Sequence, residues 1–383
     1  MKIGRVEAFP IRLPRELDAA TGTAGSPTLL AGEMGDYRWS EVFPCLYSTK
    51  FETALLRVTT KCGVTAWGEA QAPLAPEVAC EIVRLLLAPV IEGTEFEGTA
   101  EEIETLWNRM YSTMRVRGQS GGFMLDAISG VDIALWDLAG KIQKKPVAEL
   151  LSESPKSAIP AYISGLASAG RAERALEFLG QGFTKFKLFF DTKTSAEFLE
   201  LLDAMPRGAE TAVDGLWRFT LEEAREFGWA LDSRRAMWFE APLAPEEAYP
   251  HAYLAWSIQT PVAIGESYRT EREILPFFHL AAVGVLQPDL GRCGITEGRR
   301  MASLAANHSV PVVPHISIAM GPQIAAALHY AAATENCPLA EYNPQVLSVA
   351  NRFLREPLRL DPPCYAMPEG PGLGIEIDAA VLP

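Results

Sequence analysis

The chain has 383 residues, 48% hydrophobic and 21% charged, which is the make-up of a globular protein with room for a barrel and a second domain. Its net charge of −14, with no basic block, argues against a nucleic-acid partner, which needs positive surface to engage phosphates. No run of about 18 apolar residues predicts a membrane helix, and six scattered cysteines without a C-x-x-C pair argue against a disulfide framework or zinc site and for a reducing cytoplasm.

The opening MKIGRVEAFPIRLP alternates like a strand and lacks the apolar core of a signal peptide. Further strands are predicted at Phe51–Thr59 and Gly63–Gly68, with a turn around Lys61 between them. Residues 17–45 read as a long polar loop, with Asp36, Tyr37 and Arg38 near its end as candidates to read a hydroxylated substrate. Helical patterns follow at Glu77–Ile91, Ala100–Tyr111 and Phe123–Lys141; Asp132 and Asp137 within the last read as structural. This first part, about 1–125, reads as an α+β domain.

From Ile159 short apolar strands alternate with amphipathic helices. Strands are predicted at Ala161–Ser164, Lys185–Phe190, Thr211–Asp214, Met237–Glu240, Val262–Glu266, Val283–Asp289, Val310–His315 and Leu339–Glu341. Eight strands in one run, with helices between, point to a closed α/β barrel, a TIM barrel, rather than an open sheet. No G-x-G-x-x-G follows an early strand, so a dinucleotide fold has no support. A C-terminal segment, 346–383, ends in a turn and strand at PEGPGLGIEID.

Nearly every barrel strand after the first ends near a titratable residue: Lys187, Asp214, Glu240, Glu266, Asp289, His315 and Glu341. The gaps are 27, 26, 26, 23, 26 and 26 residues, one βα repeat each. A residue recurring once per strand end sits at the C-terminal mouth, where barrel active sites lie. For any single member the plain alternative is a helix cap; the series outweighs it.

Asp214, Glu240 and Glu266 are consecutive acids, and carboxylates crowded into a dry pocket repel one another unless a cation is bound. All-oxygen ligation predicts a hard ion, Mg²⁺. On either side stand two candidate bases, Lys187 and His315, the second oriented by Asp289. Lys185 and Lys187 are two apart and so share a strand face; the expectation is that the charge on Lys185 and a nearby Mg²⁺ each lower the pKa of Lys187 toward that of a general base. A metal flanked by bases implies removal of a proton α to a carboxylate.

The motifs KFK (185–187), VDGLW (213–217), WFEAP (238–242), AIGES (263–267), LQPDL (286–290), VVPH (312–315) and LAEYN (339–343) resemble the enolase superfamily, in its mandelate racemase-like subgroup, over essentially the whole chain. The resemblance implies a modified (β/α)7β barrel at 126–345, an N-terminal capping domain, and a C-terminal segment returning to it. It also implies Lys187 and the His315–Asp289 pair as acid/base groups, Asp214, Glu240 and Glu266 as Mg²⁺ ligands, and Lys185 and Glu341 at the substrate carboxylate. Asp289, where the muconate lactonizing branch has lysine, favours the racemase-like branch. Leu216, where the family commonly has Asn, Ala241, in place of a second acid, and the loop GRCGITE depart from the pattern. The implied reaction is dehydration of an acid sugar through an enediolate to a 2-keto-3-deoxy acid; racemisation, epimerisation and lactone cycloisomerisation use the same residues. A cytoplasmic homo-oligomer is expected. A Schiff-base enzyme using Lys187 and a non-catalytic binding barrel are the remaining alternatives, and the run of three carboxylates with both bases argues against each.

Overall fold

The computed structural model describes residues 1–14, 36–40, 45–166 and 170–378. Most of the 17–45 loop anticipated as a substrate reader lies outside them. Five strands come first: β1 (Ile3–Pro14), β2 (Tyr37–Ser40), β3 (Cys45–Ser48), β4 (Lys50–Thr60) and β5 (Thr65–Ala70). β1, β4 and β5 form an antiparallel sheet in the order β1-β4-β5, and β2 with β3 forms a separate hairpin. Gly63, at φ 91°, makes the turn at Lys61 that joins β4 to β5, a conformation a side chain would resist.

The helix Gly122–Gln143 lies between this sheet and the barrel, and residues 124–140 of it are buried. It can approach β5 because both partners are glycine at the crossing: a Cβ on Gly68 would fall 2.0 Å from the Gly130 carbonyl oxygen. Its internal acids anchor three segments. Asp137 accepts from the Trp67 and Leu373 amides, each at 2.8 Å, and Asp132 from the Thr296 amide at 2.9 Å. Buried carboxylates are tolerated where amides satisfy them, and this is the structural role the sequence suggested.

The barrel strands are β6 (Ala158–Ile163), β7 (Lys185–Phe189), β8 (Glu210–Asp214), β9 (Phe239–Glu240), β10 (Val262–Ile264), β11 (Val285–Leu286) and β12 (Ala340–Tyr342). β6 through β11 pair in sequence order, all parallel. Single parallel bridges, Leu286 to Val312 and Asp289 to His315, add the segment ending at His315 as the seventh strand. β12 pairs back onto β6, as the last strand of a barrel does. A final hairpin, β13 (Leu360–Asp361) and β14 (Cys364–Ala366), pairs antiparallel with β6. The crossover helices Ser195–Asp203, Leu221–Arg234 and Glu271–His279 all begin with T-x-x-E, and in each the Thr hydroxyl and the Glu carboxylate cap reciprocally. No described helix is long and apolar enough to cross a membrane.

Strand alternation decides what enters the barrel. On β7, Phe186 and Leu188 join the main core against the helices, so Lys185, Lys187 and Phe189 face the lumen. Tyr162, Ala212, Trp238, Val285, Val313 and Leu339 pack together as an apolar floor. Polar side chains are stacked above it, toward the C-terminal ends of the strands.

Candidate active site

Asp214 ends β8 and Glu240 ends β9, and the two are register partners. Glu266 follows β10 after Gly265, whose φ is 156°; a Cβ there would lie 2.4 Å from the Gln287 backbone, so only glycine lets the strand turn Glu266 into the mouth. Asp289 follows β11, and His315 bridges to it. Glu341 lies in β12, and its side chain accepts from the Ile316 amide at 3.0 Å.

The structure gathers most of the predicted residues. Glu240, Glu266 and His315 present ligand atoms within 4.8 Å of one another. Asp214 stands outside that group: it accepts from the Leu216 amide at 3.0 Å and lies 3.9 Å from Lys187 Nζ. His315 Nδ1 is 2.8 Å from Asp289 Oδ2 and its Nε2 is 3.1 Å from Glu266 Oε2. Gly291 N–H also donates to the other oxygen of Asp289, at 2.9 Å.

Two expectations about the lysines are corrected. Lys185 opens β7 at its N-terminal end, away from the mouth, where it pairs with Glu210 at 2.8 Å in partial contact with solvent. It neither reaches the carboxylate cluster nor sits beside the Lys187 ammonium. Lys187 is fully buried and pairs with Glu240 at 2.6 Å and Glu341 at 3.0 Å. Burial opposes its charge, but the negative charges of Glu240 and Glu341 prevail and hold its pKa well above the ordinary lysine value. A lysine tuned downward by a neighbouring ammonium is therefore not what the fold contains. The lumen-facing residue level with Asp214 is Phe189, its register partner, and Lys187 lies one inward position deeper. The ammonium sits 5.6 Å from the Phe189 ring centroid.

The carboxylates divide by their neighbours. Glu341, next to Lys187 and His315, is pulled down to about 2 despite its burial. Asp214 is pushed well up, by burial and then by the charge of Glu240, and Glu266 is pushed up by burial, reinforced by Glu240. Burial alone would lower the pKa of His315; the charges of Glu266, Glu341 and Asp289 outweigh it and bring the imidazole to about 10. Acids that repel in a buried cluster are a binding site for a cation. Glu266 Oε1 is buried with no hydrogen-bond partner among the described residues, an orphan acceptor of the kind a metal satisfies. The carboxylate oxygens of Glu240 and Glu266, with Asp214 beside them, fit a hard divalent ion.

Several site residues were not anticipated. Gln287 Nε2 and Trp238 Nε1 both donate to Glu240 Oε2, at 2.8 and 3.0 Å; each lies two residues before a predicted ligand or acid, so strand alternation could have found it. Gln323 Nε2 donates to Asp289 Oδ1 at 2.8 Å from a distant helix. Tyr47, on β3, is held well above the usual tyrosine range by burial, then by Cys45 and the charges of Asp214 and Glu266, which puts the hairpin near the mouth. Asp36 and Tyr37 serve the cap instead: Asp36 pairs with Lys50 at 2.8 Å, and the Tyr37 hydroxyl donates to Glu52 at 3.2 Å and accepts from the Ala75 amide at 2.7 Å. The departures at Leu216 and Ala241 sit in strained turns, at φ 56° and 41°, two residues after Asp214 and directly after Glu240.

Comparison with known proteins identifies the family. Residues 170–381 match the family model "Enolase C-terminal domain-like", and residues 47–152 match "Mandelate racemase / muconate lactonizing enzyme, N-terminal domain". D-galactarolactone cycloisomerase of Agrobacterium fabrum is 30% identical over 368 residues, spanning 87% of this chain and 94% of that one. Arabinonate dehydratase of Saccharolobus solfataricus is 29% identical over 342 residues, spanning 86% and 90%. A solved structure of an enolase-superfamily member from Agrobacterium tumefaciens superposes with a TM-score of 0.91 at 28% identity, covering 99% of this chain and 97% of that one. With its cap, its barrel and the acids at the barrel mouth, the chain belongs to the mandelate racemase/muconate lactonizing enzyme family of the enolase superfamily.

Proposed function

We propose that the protein is a Mg²⁺-dependent hydro-lyase that dehydrates an acid sugar to a 2-keto-3-deoxy acid. The observation that carries this reading is the asymmetry of the mouth. One side presents the His315–Asp289 pair, while β7 presents the phenyl ring of Phe189 level with Asp214. Racemisation by proton exchange on opposite faces needs an acceptor on each face. Elimination needs one group that takes the α-proton and returns it to the departing β-hydroxyl, and the overall balance is loss of one water. The dehydratase relative at 29% identity supports the same choice.

Glu240, Glu266 and Asp214 would hold the ion, with Asp214 brought in from its place beside Glu240. Bound there, a divalent cation supplies positive charge against the charge that builds on the substrate carboxylate as the α-proton leaves. Lys187, reversed from the expected base, is the fixed cation at the base of the site and stabilises the enediolate from below. Glu341 holds Lys187 in place. Asp289 keeps the proton on Nδ1 of His315; a cation held by Glu266 would cancel the carboxylate charge that keeps a second proton on Nε2, freeing Nε2 to face the substrate as the base. Cycloisomerisation of a sugar lactone is the second reading, favoured by the 30% identical relative.

The test is a screen of aldonic acids, aldaric acids and their lactones with Mg²⁺, read as 2-keto-3-deoxy acid. Keto acid from an open-chain acid supports dehydration; turnover of lactones alone selects the second reading; epimerised acid without keto acid refutes both. EDTA abolishes turnover and Mg²⁺ restores it; activity that survives chelation would rule out the carboxylates as ligands of an essential ion. Six unpaired cysteines support a cytoplasmic location, and light scattering tests the proposed homo-oligomer.

A further inference from the structure

Asp289 is wholly buried, and its hydrogen bonds come from three directions. Oδ2 is 2.8 Å from His315 Nδ1. Oδ1 accepts from the Gly291 amide at 2.9 Å and from Gln323 Nε2 at 2.8 Å. With donors on both oxygens the carboxylate is a fixed acceptor, and His315 must carry its proton on Nδ1 to join it. His315 and Gly291 lie on the seventh strand and in the first turn of the helix Leu290–Asn307 that follows β11, whereas Gln323 comes from a different helix. It is the second residue of the helix Pro322–Ala333, is itself fully buried, and has no room to swing toward Gly291, where an added Cβ would lie 2.3 Å from Gln323 Oε1. Oε1 has no partner among the described residues, so turning the amide over would set that oxygen against Asp289 and lose the single bond the side chain makes.

The helix bearing Gln323 is held from the other domain. Its N-cap, Gly321, offers no side-chain acceptor. Glu69, at 0% exposure on β5 of the cap, takes that place: it accepts from the Met320 amide at 2.7 Å and the Gln323 amide at 3.1 Å, and from the Thr53 hydroxyl at 2.9 Å. A helix start leaves N–H groups that need acceptors, and a carboxylate there also meets the positive end of the helix dipole. Two residues along the chain, the Gln71 amide donates to the Gly291 carbonyl at 2.8 Å. The cap thus grips both segments that meet at Asp289.

We propose that Gln323 is a positioning residue for the His315–Asp289 pair, and that Glu69 sets it by capping its helix from the capping domain. The consequence for catalysis rests on His315 being the acid/base group proposed above; the structural relay does not. Gln323 orients Asp289, Asp289 orients the imidazole, and the alignment is transmitted from a domain that carries none of the barrel's acids.

The test uses Gln323→Leu, which removes the donor, and Gln323→Glu, which keeps the shape but faces Asp289 with an acceptor. In ¹⁵N-histidine-labelled protein, the Nδ1 proton of His315 gives a downfield resonance, assigned among five histidines by its loss in His315→Asn. The expected result is a shifted or broadened resonance in both variants, with unchanged circular dichroism. With an acid-sugar substrate, kcat falls roughly 10- to 100-fold, as is usual for partners behind a site's contacting residues, while KM changes by less than about twofold. Should the leucine variant not fold, the isosteric glutamate decides. An unmoved resonance in a folded variant overturns the positioning role, whatever the substrate screen yields. A moved resonance with kcat unchanged leaves the relay standing and refutes the catalytic part of the proposal.

Discussion

Glu69 gives a stability change whose sign and size follow from its surroundings. Burial, opposed only in part by the Gln323 amide, Thr53 and the Met320 amide, raises its pKa from 4.5 to about 7. The native protein therefore keeps a proton that the unfolded chain has already lost. A carboxyl raised on folding contributes stability that is complete below its unfolded pKa and lost as pH rises through its folded one. The rise from 4.5 to about 7 corresponds to about 3 kcal/mol in total, of which about 2 kcal/mol disappears between about pH 5.5 and pH 8. Glu69→Gln removes the titration. It also adds a fixed cost of about 1–3 kcal/mol, because its amide sets a donor against one of the donors Glu69 satisfies. Urea unfolding of both proteins at the two pH values separates the terms, since every other titrating group is shared. The mutant's deficit should shrink by about 2 kcal/mol, or change sign, on going from about pH 5.5 to pH 8. The same deficit at both values would show that Glu69 ionises as an ordinary exposed acid and does not cap the helix from a dry site.

Lys187→Met leaves Glu240, Glu341 and Asp214 without their cation. Breaking a buried ion pair on one side costs about 3–5 kcal/mol, so the melting temperature should fall steeply without divalent ions and partly recover with Mg²⁺; an unchanged melt would mean the ammonium is not what neutralises the cluster. Leu216 holds a left-handed φ of 56°, a conformation that costs an L-residue about 1–2 kcal/mol and suits asparagine better. Leu216→Asn should raise stability by about 1 kcal/mol in thermal unfolding; a loss would show that the leucine side chain outweighs the strain.

The order of strands and the identity of the acids were legible because each sits at a repeating interval. Glu240 and Glu266 are a whole repeat apart, and a parallel strand followed by a helix returns each to the same end of the barrel. The vertical position of the lysines was not legible. Phe189 is 25 residues before Asp214 and Lys187 is 27 before it, so both fit one repeat of about 26. Alternation says only that 185, 187 and 189 share a face; which of them reaches the mouth depends on the pairing of Phe189 with Asp214, and register is a property of two strands. The expected influence of Lys185 on Lys187 failed for the same reason, since a fully extended strand separates them by about 6–7 Å and carboxylates from three other strands lie closer. Gln323 and Glu69 were out of reach for a different cause. Their meeting depends on how the cap docks on the barrel, and neither belongs to a spacing pattern.

The proposed chemistry turns on His315 being the group that takes the α-proton. With an acid sugar in D₂O and Mg²⁺, NMR follows the C2 proton and the keto acid together in wild type and in His315→Asn. Both α-proton loss and keto-acid formation should stop in the variant while its fold is kept. Continued exchange of the C2 proton for deuterium in His315→Asn, at a rate near that of the wild type, would place a second base across the mouth and contradict that role.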